Sequence, residues 1–267
     1  MNFNYSHVKA FIKKDFSIEH SSKNRIFYEV LSVSIRLLFI YFISNFLRQS
    51  QFIDGSYSYF EYILIGFCFL DIGSSVIMSI PRSIMTLKTD GTFEEILQNP
   101  LNATQLLTLT SSYSLIVSFI KMMLYLLLAF VIDNEIYSSF IVVINLIILS
   151  ILYIASCVGF SLIIGSLTLI YFSPVRFLAI NSVLSMVLSG IFFPISQFSL
   201  LLDKLSYLLP LRLANELGRS LVIEEGLLEI ELVIILISEI ILYFVLGYFV
   251  LKKAVAFSKK KGTLLYY

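Results

Sequence analysis

The 267-residue chain is 58% hydrophobic and only 14% charged, and its mean hydropathy is +0.90. A soluble domain is about 45–50% apolar and about 25% charged, so water is not the main solvent of this protein. Its polar residues are scattered between long apolar runs, which excludes a sizeable soluble domain, and a net charge of +1 without a clustered basic face argues against a nucleic-acid partner. We therefore expect one membrane domain over residues 1–267.

The first segment, residues 1–26, favours an interfacial amphipathic helix. Apolar residues such as Val8 are interspersed with charged residues such as Lys13, so a helix here would have one apolar and one charged face. We expect it to lie along the inner membrane surface. The first long apolar run begins only near Phe27 and lacks a small-residue cleavage site, so we expect it to be retained as a helix.

Six apolar segments are long enough to cross a hydrocarbon core of about 30 Å, which takes roughly 20 helical residues. None shows the alternating polarity of a membrane β-strand. The sequence thus predicts an all-α membrane protein with six transmembrane helices. The predicted spans are residues 27–47, 58–80, 106–132, 139–170, 175–193 and 230–251.

Most lysines and arginines fall on the side of the membrane that six crossings assign to both termini. The opposite side holds only Arg48, Lys204, Arg212 and Arg219. Because cytoplasmic connections carry the excess of positive charge, we expect both termini to be cytoplasmic.

Charged residues also occur inside the predicted spans. They are Arg36, Asp71, Lys121 and Glu239. Each costs about 2.5–3.5 kcal/mol at a helix centre, so these side chains should face protein or water. Two neutralising pairs are possible, and we expect some of the four to pair structurally; a proton relay is the alternative.

The inner connection, residues 81–105, contains a helix start. Thr92 and Glu95 have the spacing of a capping box, and Pro100 ends the helix after about two turns. Its apolar side chains either dock into the groove of a partner or lie on lipid headgroups. The segment reads Gly91-Thr92-Phe93-Glu94-Glu95-Ile96-Leu97-Gln98-Asn99-Pro100-Leu101.

Two small-x-x-x-small spacings, Ser161 with Gly165 and Ser185 with Ser189, allow helices to approach closely. They serve either a contact within one subunit or a dimer seam.

This inner segment resembles the Gly-Thr-Leu-Glu-x-Leu-x-x-x-Pro segment between the second and third spans of the permease subunits of ABC-2 type ATP-driven exporters. A second stretch is similar to that family's run from the fifth span through its external re-entrant helices. It comprises Ser189-Gly190-Ile191-Phe192-Phe193-Pro194-Ile195-Ser196, then Tyr207-Leu208-Leu209-Pro210-Leu211 and Arg219. The spacing and the six-span layout agree over nearly the full chain.

The resemblance implies a coupling helix that sits in a groove of a separate ATPase. Its coupling residues would be Gly91, Thr92, Phe93, Glu94, Glu95, Leu97 and Pro100. Residues 194–228, between the fifth and sixth spans, would form re-entrant helices that close the exit. The external gate would comprise Phe193, Pro194, Pro210 and Arg219. Phe93 replaces the more usual Leu. The chain also lacks the Pro and Trp that polysaccharide-exporting relatives tend to carry ahead of the first span, which weakens a glycan substrate.

No G-x-x-x-x-G-K-[ST] phosphate loop occurs in the sequence, so ATP and Mg are expected in the partner and not in this chain. The spans lack a Ser with His, a His cluster or paired carboxylates at helical spacing, so we expect no enzyme activity, and His7 and His20 do not suggest a metal site.

The expected function is that of an exporter permease for an amphipathic substrate: a drug, a lipid or a lipid-linked glycan. The expected partners are two ATP-binding cassette ATPase subunits, a second or homologous permease, and the lipids of a bacterial or archaeal inner membrane. The alternative is an ATPase-independent secondary transporter or a membrane scaffold protein.

Overall fold

The computed structural model describes residues 25–47, 59–93, 112–132, 140–171, 174–192, 200–223 and 229–261. These residues contain nine helices and no strand, which confirms the predicted all-α class for the described part of the chain. The helices are α1 (Arg25–Leu47), α2 (Tyr59–Ile77), α3 (Ser79–Thr89), α4 (Ser112–Ile132), α5 (Phe140–Tyr171), α6 (Pro174–Leu188), α7 (Leu200–Ser206), α8 (Pro210–Ile223) and α9 (Ile230–Lys261). The predicted interfacial helix lies almost entirely outside the described residues.

Four helical segments of the described chain are long and apolar enough to cross a membrane. They are Phe27–Phe46, Tyr59–Thr89, Phe140–Tyr171 and Ile230–Ser258. The other two predicted spans contain shorter apolar helical segments, Ser114–Leu127 and Ala179–Leu188. Length and composition therefore identify four of the six predicted crossings.

Helical structure continues past the predicted end of the second span. The sequence placed the end of the second span at residue 80, but α3 continues as a helix to Thr89. Pro81 lies in the first turn of α3, where a helix does not need the amide hydrogen that proline lacks. Residues 81–89 are therefore helical and not part of a loop.

Small residues of α5 let the junction between α2 and α3 pack closely. The Ser161 hydroxyl donates to the carbonyl oxygen of Ile77 (2.8 Å) and accepts from the amide of Ile80 (3.4 Å). A Cβ on Gly165 would come within 2.8 Å of the Ile80 side chain. The pair Ser161 and Gly165 thus makes a contact within one subunit, which is one of the two roles that the sequence left open.

Helices α5 and α9 each have 32 residues and form the most extensive helix pair. Their backbones approach closely at two glycines, since a Cβ on Gly247 would lie 2.9 Å from the Gly159 carbonyl oxygen. Helix α9 continues to Lys261, beyond the predicted end of the sixth span at residue 251. Leu251 and Ala254 remain buried there, so this last part of α9 still packs against the bundle.

Helix α8 lies inside the bundle and packs on α2, α5 and α9. Leu213, Ala214, Leu217 and Leu221 are fully buried. Gly218 lets α8 approach α2, because a Cβ there would lie 2.7 Å from the Phe69 ring. The chain that follows α6 therefore returns into the helical core.

Candidate functional site

The turn after α3 has the geometry of a Schellman motif. Gly91 has a φ of 71°, the left-handed conformation that glycine adopts without strain. The amide of Thr92 donates to the Leu87 carbonyl oxygen (3.1 Å), and the amide of Gly91 donates to that of Lys88 (3.2 Å). These bonds end α3 and fix the direction in which the inner segment leaves it.

Phe93, the residue after this turn, is only 2% exposed and has helical backbone. Its ring belongs to a cluster from α3, α5 and α9 that also contains Ile80, Ile84, Leu87, Leu162, Leu169, Leu251 and Ala254. The Phe93 side chain, which the resemblance predicts as a contact for the ATPase, is thus packed against these residues of its own chain. Among the other predicted coupling residues, Gly91 is exposed and Thr92 is half-buried. Glu94, Glu95, Leu97 and Pro100 lie outside the described residues.

Lys88 makes a second connection between the end of α3 and the end of α5. Its ammonium group donates to the carbonyl oxygen of Leu169 at 3.1 Å, and its side chain is buried. Lysine is favourable at this place because the last carbonyl groups of a helix lack intrahelical partners and carry partial negative charge. The start of the inner segment is thus attached to α5 by the packing of the Phe93 ring and by the hydrogen bond of the Lys88 ammonium group.

Asp71 of α2 is the centre of a charged cluster between α1, α2 and α4. Its carboxylate pairs with Arg36, lies 3.8 Å from the Lys121 nitrogen, and accepts a hydrogen bond from the Tyr125 hydroxyl (3.3 Å). Lys121 also pairs with Glu29 at 2.9 Å. Two cations and two carboxylates therefore neutralise one another across three helices. We call Glu29, Arg36, Asp71 and Lys121 the Asp71 cluster.

Three of the four predicted intramembrane charges meet in this cluster, whereas Glu239 does not. Glu29, near the start of α1, is the fourth member of the cluster. In the structure its side chain is only 28% exposed because it reaches Lys121 on α4. The sequence contained a sign of this placement, since Glu29 and Arg36 are seven residues apart and therefore share one face of α1.

Arg36 occupies the boundary between the buried and exposed faces of α1. It sits at the middle of the apolar segment Phe27–Phe46, and its side chain is 39% exposed. Neighbouring side chains such as Ile35 and Phe39 are exposed and apolar. The charged cluster therefore has one open side, formed by a guanidinium group.

Glu239 of α9, in contrast to Asp71, has no counter-ion among the described residues. It is 6% exposed, and among the described residues no lysine or arginine lies within salt-bridge distance of its carboxyl group. The hydroxyl of Tyr243, one turn further along α9, lies 3.4 Å from Glu239 Oε1. The same hydroxyl contacts the carbonyl oxygen of Leu208 in the turn between α7 and α8.

Arg219 of α8 binds the carbonyl groups that follow α6. One guanidinium nitrogen donates to Gly190 (2.9 Å), Tyr62 (3.3 Å) and Ile191 (3.4 Å), and the guanidinium carbon lies 3.4 Å from the centre of the Tyr62 ring. The Tyr62 hydroxyl donates to the Gly190 oxygen as well (3.0 Å). A cation at a helix C-terminus and over an aromatic face is doubly favourable. Arg219 therefore holds α8, α6 and α2 together.

The other predicted gate residues have separate places. Pro210 is buried as the first residue of α8, where its missing amide hydrogen costs nothing. Two residues further on, Arg212 pairs with Asp203 of α7 (3.3 Å) and with Glu216 (3.6 Å), so an ion pair joins α7 to α8. We call α7, the turn at residues 207–209 and α8 together the hairpin of α7 and α8. Phe193 and Pro194 lie outside the described residues.

Within the part of the chain that the structure describes, no group of three or more His, Cys, Asp or Glu side chains could hold a metal ion. The described site thus consists of the turn after α3, a neutral charge cluster, a buried carboxyl group on α9, and the helices α7 and α8, which are joined to the core.

The family described as ABC-2 type transporter matches residues 8–223, which covers the helices from α1 to α8. No curated protein sequence matches the chain.

Proposed function

Because the chain belongs to the ABC-2 type transporter family, we propose that it is the permease subunit of an ATP-driven exporter and that a separate ATPase moves it through the segment from Gly91 to Pro100. The family as a whole generally works with an ATP-binding cassette partner. ATP and Mg would be held by that partner. This chain would supply the path and no catalytic residue.

The observation that carries the coupling proposal is the burial of Phe93. Its ring is enclosed by α3, α5 and α9, and the Lys88 ammonium group ties the same turn to α5. A force that reaches Phe93 would therefore be passed to α5 and α9 through packed side chains. In this proposal Phe93 transmits the motion, while the ATPase contacts lie further along, at Glu94, Glu95 and Leu97.

Two measurements test this proposal: co-purification reports whether the ATPase binds, and transport reports whether its motion is transmitted through Phe93. We expect Leu97→Asp to abolish co-purification of the chain with its ATPase, because a charge would enter an apolar interface. Phe93→Ala should preserve the complex but lower transport, since it leaves a cavity in the joint. Phe93→Leu, which keeps an apolar filling, is the matched control and should retain transport.

Unchanged transport in the double variant Phe93→Asp, Leu97→Asp would contradict ATPase coupling and favour a stand-alone transporter or a scaffold. The topology can be checked independently, since a label at Glu94 should react only from the cytoplasmic side.

Six crossings with both termini in the cytoplasm are part of the proposal. All six predicted spans contain helix, and four of these segments are long and apolar enough to cross alone. The asymmetry of lysine and arginine supports the orientation. Six helices are few for a path, so we expect two permeases to face each other in a bacterial or archaeal inner membrane.

The hairpin of α7 and α8 supports re-entry from the outer side. Its turn touches Tyr243, which lies about 20 Å along α9 from Ile230 at 1.5 Å per residue. In a transmembrane α9 this depth is well inside the hydrocarbon core. The hairpin would close the exit, with Arg219 as the clamp that holds it.

The open side of the Asp71 cluster supports a substrate with a polar group. A guanidinium that is 39% exposed in the middle of a span needs water or a polar ligand. The apolar side chains around Arg36 suit the rest of an amphipathic molecule. A drug, a lipid or a lipid-linked glycan meets this description.

A further inference from the structure

The hydroxyl group of Tyr243 lies between two oxygen atoms, and it cannot donate a hydrogen bond to both. One is the Leu208 carbonyl oxygen in the turn between α7 and α8, and the other is Glu239 Oε1 at 3.4 Å. A phenol carries one hydrogen, while a carbonyl oxygen and an ionised carboxylate carry none. With an ionised Glu239, one of the two contacts would bring two acceptors together without a hydrogen between them.

Among the residues that the structure describes, no charged group lies close enough to Glu239 to replace that hydrogen. The titratable groups that face it are Tyr153 and Cys157 of α5 and Tyr243 of its own helix. Its second oxygen, Oε2, is buried and has no hydrogen-bond partner in the described part of the chain. A buried carboxylate without a cation or a donor is strongly disfavoured relative to the neutral acid.

Helix α8 also packs on α9, and it carries two arginines that are engaged elsewhere. Arg212 pairs with Asp203 and Glu216, and Arg219 binds the carbonyl groups after α6. Neither is within salt-bridge distance of Glu239. The two arginines of α8 therefore make no ion pair with the Glu239 carboxyl group.

We propose that Glu239 is a proton-binding site and that its proton fastens the hairpin of α7 and α8 to α9. The Glu239 carboxylic acid donates to the Tyr243 oxygen, and the Tyr243 hydroxyl then donates to the Leu208 carbonyl oxygen. Each contact has one hydrogen in this arrangement. Loss of the proton turns the Tyr243 hydroxyl towards the carboxylate, so Leu208 loses its donor and the turn is released.

This inference goes beyond ATPase coupling, because it concerns only groups within this chain. It can be tested on the full-length chain in lipid nanodiscs with no ATPase present. A failure of the coupling proposal leaves the result unaffected, and the reverse also holds.

Infrared difference spectroscopy tests the proton directly. Wild type minus Glu239→Gln at neutral pH should show the C=O stretch of a protonated carboxylic acid, and the wild-type band should disappear as the pH is raised. Glu231→Gln, at the exposed start of α9, is the matched control and should show only carboxylate bands. Carboxylate bands from Glu239 at neutral pH would overturn the proposal, and the wild-type titration needs no variant to fold.

Amide hydrogen exchange of residues 206–212 tests the fastening. Raising the pH through the loss of the infrared band should accelerate this exchange in wild type by about three- to tenfold relative to Glu239→Gln, the factor that corresponds to one lost hydrogen bond. Glutamine donates at every pH, so comparison at equal pH cancels the intrinsic exchange rate. Tyr243→Phe should exchange rapidly at every pH. If the exchange rates of wild type and Glu239→Gln depended on pH in the same way, the proposal that the Glu239 proton holds the turn would be overturned.

Discussion

Two buried carboxyl groups in one helical bundle, Asp71 and Glu239, are accommodated in opposite ways. Asp71 is 7% exposed and lies between Arg36 and Lys121, so counter-ions neutralise it. Glu239 is 6% exposed and meets only neutral groups among the described residues. The comparison teaches that two equally buried carboxyl groups can have different partners, because the facing helices supply those partners.

The different locations give the two groups different tasks. The Asp71 cluster joins three helices through ion pairs, which makes it sensitive to the removal of any member. Glu239 touches a hydroxyl that is shared with the α7–α8 turn, so a change of one proton alters a contact between elements. The first is a fixed support, and in our proposal the second is a switch.

The largest effect should come from Asp71→Asn, which keeps the shape but leaves Arg36 and Lys121 with only Glu29 between them. We expect the free energy of unfolding in detergent to fall by about 3 kcal/mol or more, the cost of an uncompensated buried charge. Thermal and denaturant unfolding measure it. If Asp71→Asn lowered the free energy of unfolding by less than Glu239→Gln does, the contrast drawn between the two carboxyl groups would be wrong.

A partial rescue should follow when Arg36→Gln is added to Asp71→Asn. Removing both members of the pair leaves no excess positive charge from Arg36, so the double variant should be more stable than the sum of the single losses by about 1–2 kcal/mol. A double-mutant cycle on unfolding free energies measures the coupling. Strict additivity would show that the pair does not interact energetically.

A smaller effect is expected from Arg36→Lys, which keeps the charge but removes the planar donor group. Because Arg36 is 39% exposed, we expect a loss of about 1 kcal/mol or less. Transport should suffer more than stability if the open guanidinium contacts substrate. Equal transport in the two proteins would argue against that contact.

The smallest effect on stability should come from Glu239→Gln at neutral pH. Glutamine resembles a protonated glutamic acid and leaves no cation unpaired, so the free energy of unfolding should change by less than about 0.5 kcal/mol. The same unfolding assay in detergent gives this value. A loss as large as that of Asp71→Asn would mean that Glu239 is ionised and paired.

Much of the site could be anticipated because its signals are local. The four charges within the predicted spans stand out against apolar neighbours, and the glycine and capping pattern around Thr92 marks the inner segment. The burial of Phe93 had no such signal, because an apolar residue beside a turn suits either a partner groove or the chain's own core. Only the positions of α5 and α9 beside it decide between them.

The sequence by itself determined the α-helical membrane class and the approximate positions of the four long apolar helical segments, since apolar length acts within one segment. The tertiary structure decided which charges meet, where Arg219 binds and that α8 returns to the core. These outcomes depend on which faces of distant helices touch. The partners of Asp71, for example, are its neighbours in space and lie far from it in the sequence.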